Sequence, residues 1–165
     1  MGGRETCLSM AIEVSTAKKD DLPRLIEIFH NPDIKTSLEE SRWFVNCYFD
    51  YHHVLLAKVD GEIQGACFWR IEGERYSGLG WIENLWVEER LRKLGLGEKL
   101  LRRGIDDIKD HFLRFGVRAR KIVLMTQVER KSARSLYEKV GFKNVASLVE
   151  LYDRGGHDLI YVLDL

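Results

Sequence analysis

The chain has 165 residues, of which 32% are charged, with 26 cations balanced by 26 anions. That length predicts one domain able to bury a core, and no apolar stretch is long enough to cross a membrane. A neutral total argues against a general nucleic-acid partner, although it leaves a local basic patch open.

Three cysteines, Cys7, Cys47 and Cys67, stand far apart without a CxxC spacing. An odd, scattered set suggests a reducing, cytoplasmic setting, with neither a disulfide framework nor a metal site. Acids outnumber amides strongly, a composition that leans toward a heat-adapted source.

Residues 1–9 are read as a disordered leader or the product of an upstream start. MGGRET also fits the pattern for myristoylation of Gly2, but the stretch is too short for a secretory signal. The ordered domain is expected over 10–165. MAIEVSTA (10–17) reads as a first strand. Asp21 is placed to cap a helix with Pro23 in its first turn and Leu22, Leu25, Ile26 and Phe29 on one face, ended by Asn31-Pro32. Ser37 and Glu40 form a capping box that starts a second helix, to about Tyr48. HVLLAKV (53–59) and EIQGACFWRI (62–71) flank Asp60-Gly61, a hairpin turn signal. The loop EGERYSGLG leads to a strand ending near Val87. Gly97, Leu101, Ile105, Ile108, Phe112 and Phe115 then recur at helical spacing. KIVLMTQV (121–128) is apolar almost throughout, which predicts a strand buried on both faces. SARSLYEKV is a short helix stopped by Gly141. FKNVASLVELY and HDLIYVLDL end the chain as two strands joined by Asp153-Arg154-Gly155-Gly156. The predicted fold class is α/β with a mixed sheet, order βααβββαβαββ, with one βαβ crossover joining two parallel strands.

Between strand and long helix lies RLRKLGLGEKL (90–100). A helix N-terminus presents unpaired N–H groups, and glycine lets a ligand approach them closely. Gly95 and Gly97 therefore suggest a phosphate cradle, with Arg92 and Lys93 adding charge. A dinucleotide fingerprint would need a third glycine where Leu100 stands. A Walker loop would need Lys-Ser or Lys-Thr directly after its second glycine, where Glu98-Lys99 stand.

Arg92-Lys93-Leu94-Gly95-Leu96-Gly97 after a strand carrying Glu83 and ending at Val87, followed by Leu136-Tyr137-Glu138-Lys139-Val140-Gly141-Phe142, resembles the GNAT superfamily of acetyl-CoA-dependent N-acetyltransferases. The match in element order runs from about residue 12 to 165. The resemblance implies acetyl-CoA as co-substrate, held where the two parallel strands splay apart, and no metal. Leu85, Trp86 and Val87 would run beside the pantetheine arm, and Arg92 through Glu98 would hold the pyrophosphate. Ala133 would lie along the cofactor. Where the family often has asparagine this chain has Arg130; Arg130, Lys131 and Arg134 either reach the CoA 3′-phosphate or form a solvated helix face.

The resemblance also assigns chemistry. Direct transfer needs a neutral amine, and at pH 7 only about one lysine-like amine in 2,500 is neutral, a deficit of up to ~4.6 kcal/mol. Glu83 is the candidate base; strict strand alternation would place it with Trp81, Leu85 and Val87 in an apolar setting, and the competing reading is a salt bridge to Arg70. Tyr137 would protonate the departing thiolate, or is a core tyrosine. Cys67 reads as packing, so no acetyl-cysteine is expected.

The acceptor is not legible. Glu39, Glu40, Trp43, Asp50, Tyr51, Glu72, Glu74, Tyr76, Tyr152 and Asp153 fall in the regions that frame it in the family. A small amine or amino-acid derivative and a protein N-terminus or lysine remain comparable. A homodimer is left open, and a non-catalytic acetyl-CoA-binding domain is the competing class.

Overall fold

A computed structural model describes residues 11–30, 37–151 and 155–165. Its elements are β1 (Ile12–Thr16), α1 (Leu22–Phe29), α2 (Leu38–Tyr51), β2 (His53–Val59), β3 (Glu62–Ile71), β4 (Leu79–Val87), α3 (Leu96–Leu113), β5 (Lys121–Gln127), α4 (Lys131–Val140), β6 (Lys143–Val149) and β7 (His157–Asp164). The order is the one the sequence predicts. All seven strands join one sheet, β1-β2-β3-β4-β5-β7-β6. Every neighbouring pair is antiparallel except β4 and β5.

Local chemistry accounts for several joints. Asp60 and Gly61 both adopt left-handed φ values (51° and 87°), the geometry of a two-residue hairpin turn. Ser37 Oγ accepts from Glu40 N–H at 3.1 Å while Glu40 Oε2 accepts from Ser37 N–H at 2.8 Å, so the capping box forms. Asp21 does not cap α1. Its carboxylate accepts from Lys18 N–H at 2.8 Å and from Lys58 Nζ at 2.8 Å, which ties the start of the helix to β2 instead.

The sheet divides two cores. On one face α1 and α2 bury Leu25, Phe29 and Val45 against Val54, Leu56, Ala66 and Phe68. On the other, α3 buries Leu100, Leu101, Ile105, Ile108 and Phe112 against Leu55, Trp69, Ile82, Ile122 and Leu124. Contact is close there: a Cβ on Gly104 would lie 3.1 Å from Cys67 Sγ, and one on Gly80 would lie 2.7 Å from Ile108.

Four further expectations need correction. Phe115 lies past the end of α3 and is exposed. β5 is not buried on both faces: Ile122, Leu124 and Thr126 are buried, while Val123, Met125 and Gln127 are half-buried. The reason is that α1 and α2 pack over β2, β3 and Trp86 of β4, leaving the second face of β5 only partly covered. β6 is shorter than expected and exposed along its whole length, as an edge strand paired only with β7. Helix α2 runs on to Tyr51. The expected leader with Gly2, Met10, the Asn31-Pro32 stop, and Tyr152, Asp153 and Arg154 lie outside the described residues.

Candidate active site

Strands β4 and β5 pair from Leu79↔Lys121 to Ile82↔Leu124 and then part, although β4 continues to Val87 and β5 to Gln127. On its other edge β4 is irregular at the same place. Trp69 pairs with Ile82 and Phe68 with Asn84, so Glu83 is the extra residue of a bulge. A bulge bends its strand and shifts the side-chain alternation by one. Gly80 and Ile82 face α3 before it, and Leu85 and Val87 face that same core after it, while Trp86 packs toward α1 and α2. The strict alternation that grouped Glu83 and Trp81 with Leu85 and Val87 therefore fails at Glu83 itself.

The backbone benefits from the splay. Glu88 N–H donates to Gln64 O at 2.9 Å, so Glu88 and Trp86 direct their backbone groups toward β3. Leu85 and Val87, alternating with them, direct theirs into the gap left by β5. Val87 O accepts from Arg92 Nε at 3.0 Å, which folds the Arg92 side chain back over the end of β4.

Helix α3 opens at this gap. Lys93 and Gly95 adopt φ of 65° and 86°, and Gly95 supplies the N-cap with no side chain to satisfy it. Lys99 N–H makes the first intrahelical bond, to Gly95 O at 3.0 Å, leaving the N–H groups of Leu96, Gly97 and Glu98 ahead of it. Gly95 is required by its conformation; a Cβ there would meet nothing within 4 Å. At Gly97 the conformation is helical and a Cβ would sit at 3.4 Å from Leu136 and 3.5 Å from Val87, ordinary contact distances. Neither packing nor φ demands glycine at 97, and its bare backbone leaves the first turn of α3 open to the gap.

The gap and the helix start belong to one cleft of about 1130 Å³. Of the residues expected to bind cofactor, Leu85, Trp86, Val87, Arg92, Lys93, Gly95, Gly97, Glu98, Arg130 and Ala133 line it, and so does Tyr137. Leu94, Leu96, Lys131, Arg134 and Glu83 are not in its wall. Leu96 is a core residue, and Leu94 is exposed. Arg134 turns toward the sheet, donating to Val128 O at 3.1 Å and to the Tyr161 hydroxyl at 3.4 Å. Sequence reasoning missed Asn84, Ser132, Ser135, Leu136 and Lys139 in the wall. The α4 members recur at three- and four-residue steps, the signal that separates the cleft face from the face carrying Lys131 and Arg134. On the α1–α2 side, Phe29, Glu40, Ser41, Trp43 and Phe44 complete the wall, with Trp43 69% exposed. Of the residues expected to frame the acceptor, Glu40 and Trp43 reach the cleft, whereas Glu39, Asp50, Tyr51, Glu72, Glu74 and Tyr76 do not.

Glu83 is held by Arg70, whose Nε donates to Oε1; the Arg70 NH1 donates to Glu72, and its guanidinium lies 5.3 Å from the Trp81 ring centre. The competing sequence reading of Glu83 as an ion-pair partner is thus present in the structure. Partial burial opposes the charge on Arg70, yet the bonds and charges of Glu83 and Glu72 hold its pKa above the usual value. Tyr137 is 8% exposed, and burial pushes its phenol up to about 12, with Cys67 adding to the rise and Arg130 opposing it. Cys67, fully buried, is pushed to about 12, chiefly by burial and further by Asp107. Such a thiol is inert as a nucleophile at neutral pH. Glu98, bonded to Lys139 and Arg102, is held below the usual carboxylate range.

The model of the acetyltransferase (GNAT) family matches residues 22–142. An N-alpha-acetyltransferase of Sulfurisphaera tokodaii is 32% identical over 109 residues, which cover 61% of this chain and 62% of the relative's own length. N-alpha-acetyltransferase 30 of Schizosaccharomyces pombe is 28% identical over 123 residues, covering 74% of this chain and 77% of that one. Among solved structures, the ribosomal-protein-S18-alanine N-acetyltransferase from Escherichia coli superposes with a TM-score of 0.74 at 18% identity, covering 93% of this chain and 94% of the other. At that identity it speaks for the fold alone.

Proposed function

The chain belongs to the acetyltransferase (GNAT) family, and from that premise we propose that it moves the acetyl group of acetyl-CoA directly to the free α-amine of a polypeptide. One observation carries the reading. The splayed end of β4, the uncapped start of α3 and the Tyr137 ring all open onto one cleft that continues to α1 and α2.

Acetyl-CoA supplies the activated acyl group, and the residues present fit it. The N–H groups of Leu96, Gly97 and Glu98, with the side chains of Arg92 and Lys93, offer a seat for its pyrophosphate. The Leu85 backbone and the Val87 N–H offer strand-like bonds to the pantetheine arm. Arg130, at the cleft wall, is available to the 3′-phosphate, with its Nε already donating to Gln127 Oε1 at 3.1 Å.

Glu83, next in the chain to the cleft residue Asn84 but not itself in the wall, receives the proton of the acceptor amine through a water. Arg70 engages Oε1, so Oε2 is the oxygen left for this work. The acceptor that asks least of that carboxylate fits best. A polypeptide α-amine has a pKa near 7.7–8.0, so roughly one in eight is neutral at pH 7, against about one in 2,500 for lysine. The proton removal then costs about 1 kcal/mol instead of ~4.6. The names of the two sequence relatives support the same acceptor. Tyr137 donates a hydrogen bond to the sulfur as it leaves; with its phenol at about 12 it does not surrender the proton early.

The experiment is acetyl-CoA-dependent thiol release with three acceptor sets: peptides with a free α-amine, the same peptides blocked at the α-amine but carrying lysine, and small amines. Turnover confined to the first set is expected. Turnover only with lysine or small amines removes the α-amine reading. Tight acetyl-CoA binding with no turnover in any set points to a binding domain.

A further inference from the structure

Helix α3 carries the fold away from the cleft: its 18 residues span about 27 Å. At its far end two loops meet. Arg120 N–H donates to Gly78 O at 2.7 Å, and Arg120 Nε donates to Ser77 O at 2.9 Å. Residues 73–78 and 113–121 together contain Arg75, Arg114, Arg118, Arg120 and Lys121 against one carboxylate, Glu74. Lys121 is neutralised by an ion pair with Asp164. The four arginines are exposed, and Arg75, Arg114 and Arg120 contact neutral groups. Arg114 Nε donates to the Asp110 backbone carbonyl at 3.3 Å, and the Arg75 guanidinium lies 4.2 Å from the Phe115 ring centre. These contacts orient the guanidinium groups without cancelling their charge. His111, beside them, registers the resulting potential: burial lowers its pKa first, and Arg114 and Arg75 lower it further, against Asp107.

Aromatic rings are set among these cations. Tyr76 is 61% exposed, and Phe115 carries Arg75 stacked on it. We propose that this end of the molecule binds single-stranded nucleic acid, the arginines engaging phosphates while Tyr76 and the Arg75–Phe115 stack receive bases. Planar guanidinium forks suit phosphate oxygens, and exposed rings suit unstacked bases, which a duplex does not offer. An anionic membrane is the weaker fit, because Leu113 is the one large aliphatic side chain exposed in the two loops, too little to insert. The neutral charge of the whole chain hides the patch, since acids elsewhere balance it. With the cleft about 27 Å away, both sites can be filled at once.

The test is fluorescence anisotropy of a labelled uridine oligomer of about 12 nucleotides with the full chain at low salt. Binding in the range of about 1–100 μM is expected. With about three phosphates engaged, raising salt from roughly 50 to 200 mM weakens it about 20-fold. Changing Arg75, Arg114 and Arg118 together to glutamine is expected to reduce affinity at least tenfold and flatten the salt slope, with acetyl-CoA affinity unchanged. Should the triple variant fail to fold, Arg118→Gln and Tyr76→Ala singly are each expected to weaken binding at least threefold. The proposal is overturned by no anisotropy change up to about 100 μM, by variants that bind like the wild type, or by stronger binding to phosphatidylserine vesicles than to the oligomer.

Discussion

Replacing Tyr137 by phenylalanine removes one oxygen from a ring that is 8% exposed in the cleft wall, leaving the shape of the wall intact. The environment that buries the phenol also determines what it can do. At about 12, it lies roughly 3.5 units above a thiol near 8.5, so complete proton transfer to the thiolate is uphill by about 5 kcal/mol. A donated hydrogen bond to a developing charge is worth about 1.5–3 kcal/mol, which sets the expected fall in kcat at about 10- to 150-fold. Acetyl-CoA affinity should stay within a few-fold, because the bond forms only as charge reaches sulfur. Poorer thiol leaving groups should suffer more from the substitution than better ones. The pH dependence is equally specific. Since the folded phenol keeps its proton to about 12, wild-type activity should show no alkaline decline from this group near pH 10, where an exposed tyrosine would ionise. Stopped-flow thiol release with a saturating peptide, from about pH 7 to 11, measures both. A Tyr137→Phe variant within twofold of wild type, or an alkaline limb near 10 that this substitution abolishes, would remove Tyr137 from this role.

Three other outcomes are expected. Glu83→Gln should lower kcat/KM by about 10²–10⁴-fold near neutral pH, with the loss shrinking above about pH 8 as the α-amine deprotonates itself; a pH-independent loss would leave Glu83 only its ion pair with Arg70. Gly97→Val should weaken acetyl-CoA binding at least tenfold, about 1.4 kcal/mol, without a large change in melting temperature; Gly95→Ala should additionally cost about 1–2 kcal/mol of stability, because φ of 86° opposes a Cβ, and calorimetry with parallel melts separates the two. Acid should weaken the fold through His53, which stacks on Trp69 at 3.8 Å with His111 edge-on at 4.8 Å. Burial and then the His111 charge lower its pKa to about 4, with Arg114 and His52 adding to the fall and Asp107 opposing it. A folded pKa below the unfolded value means that the stability is complete above about 6.5 and is lost as pH falls from there through about 4. Urea midpoints of wild type and His53→Gln across that window check it.

The parts of the fold legible in the sequence are those set by local chemistry. Ser37 with Glu40, Asp60 with Gly61, and Gly141 each announce a helix start, a turn or a helix stop through contacts within four residues. The uncapped start of α3 was legible for the same reason, since Gly95 turns the chain through its own backbone. Glu83 was harder. Its neighbours are set by a bulge against β3 at the place where β4 parts from β5, and no local pattern carries that register. Arg134 shows the same limit: its guanidinium direction depends on Val128 O and Tyr161, which lie across the α4–sheet junction. The Arg70–Glu83 pair was foreseeable as a cross-strand contact, but its sharing with Glu72 and Trp81 needed the structure.

The proposed reaction is direct transfer from acetyl-CoA to a polypeptide α-amine. Initial rates measured with both acetyl-CoA and a free-N-terminal peptide varied, together with mass-spectrometric mapping of the product, test it most directly. Intersecting double-reciprocal lines and a single acetyl group on the peptide α-amine are predicted. Parallel lines with an acetylated protein intermediate, or an acetyl group found only on lysine, would contradict it.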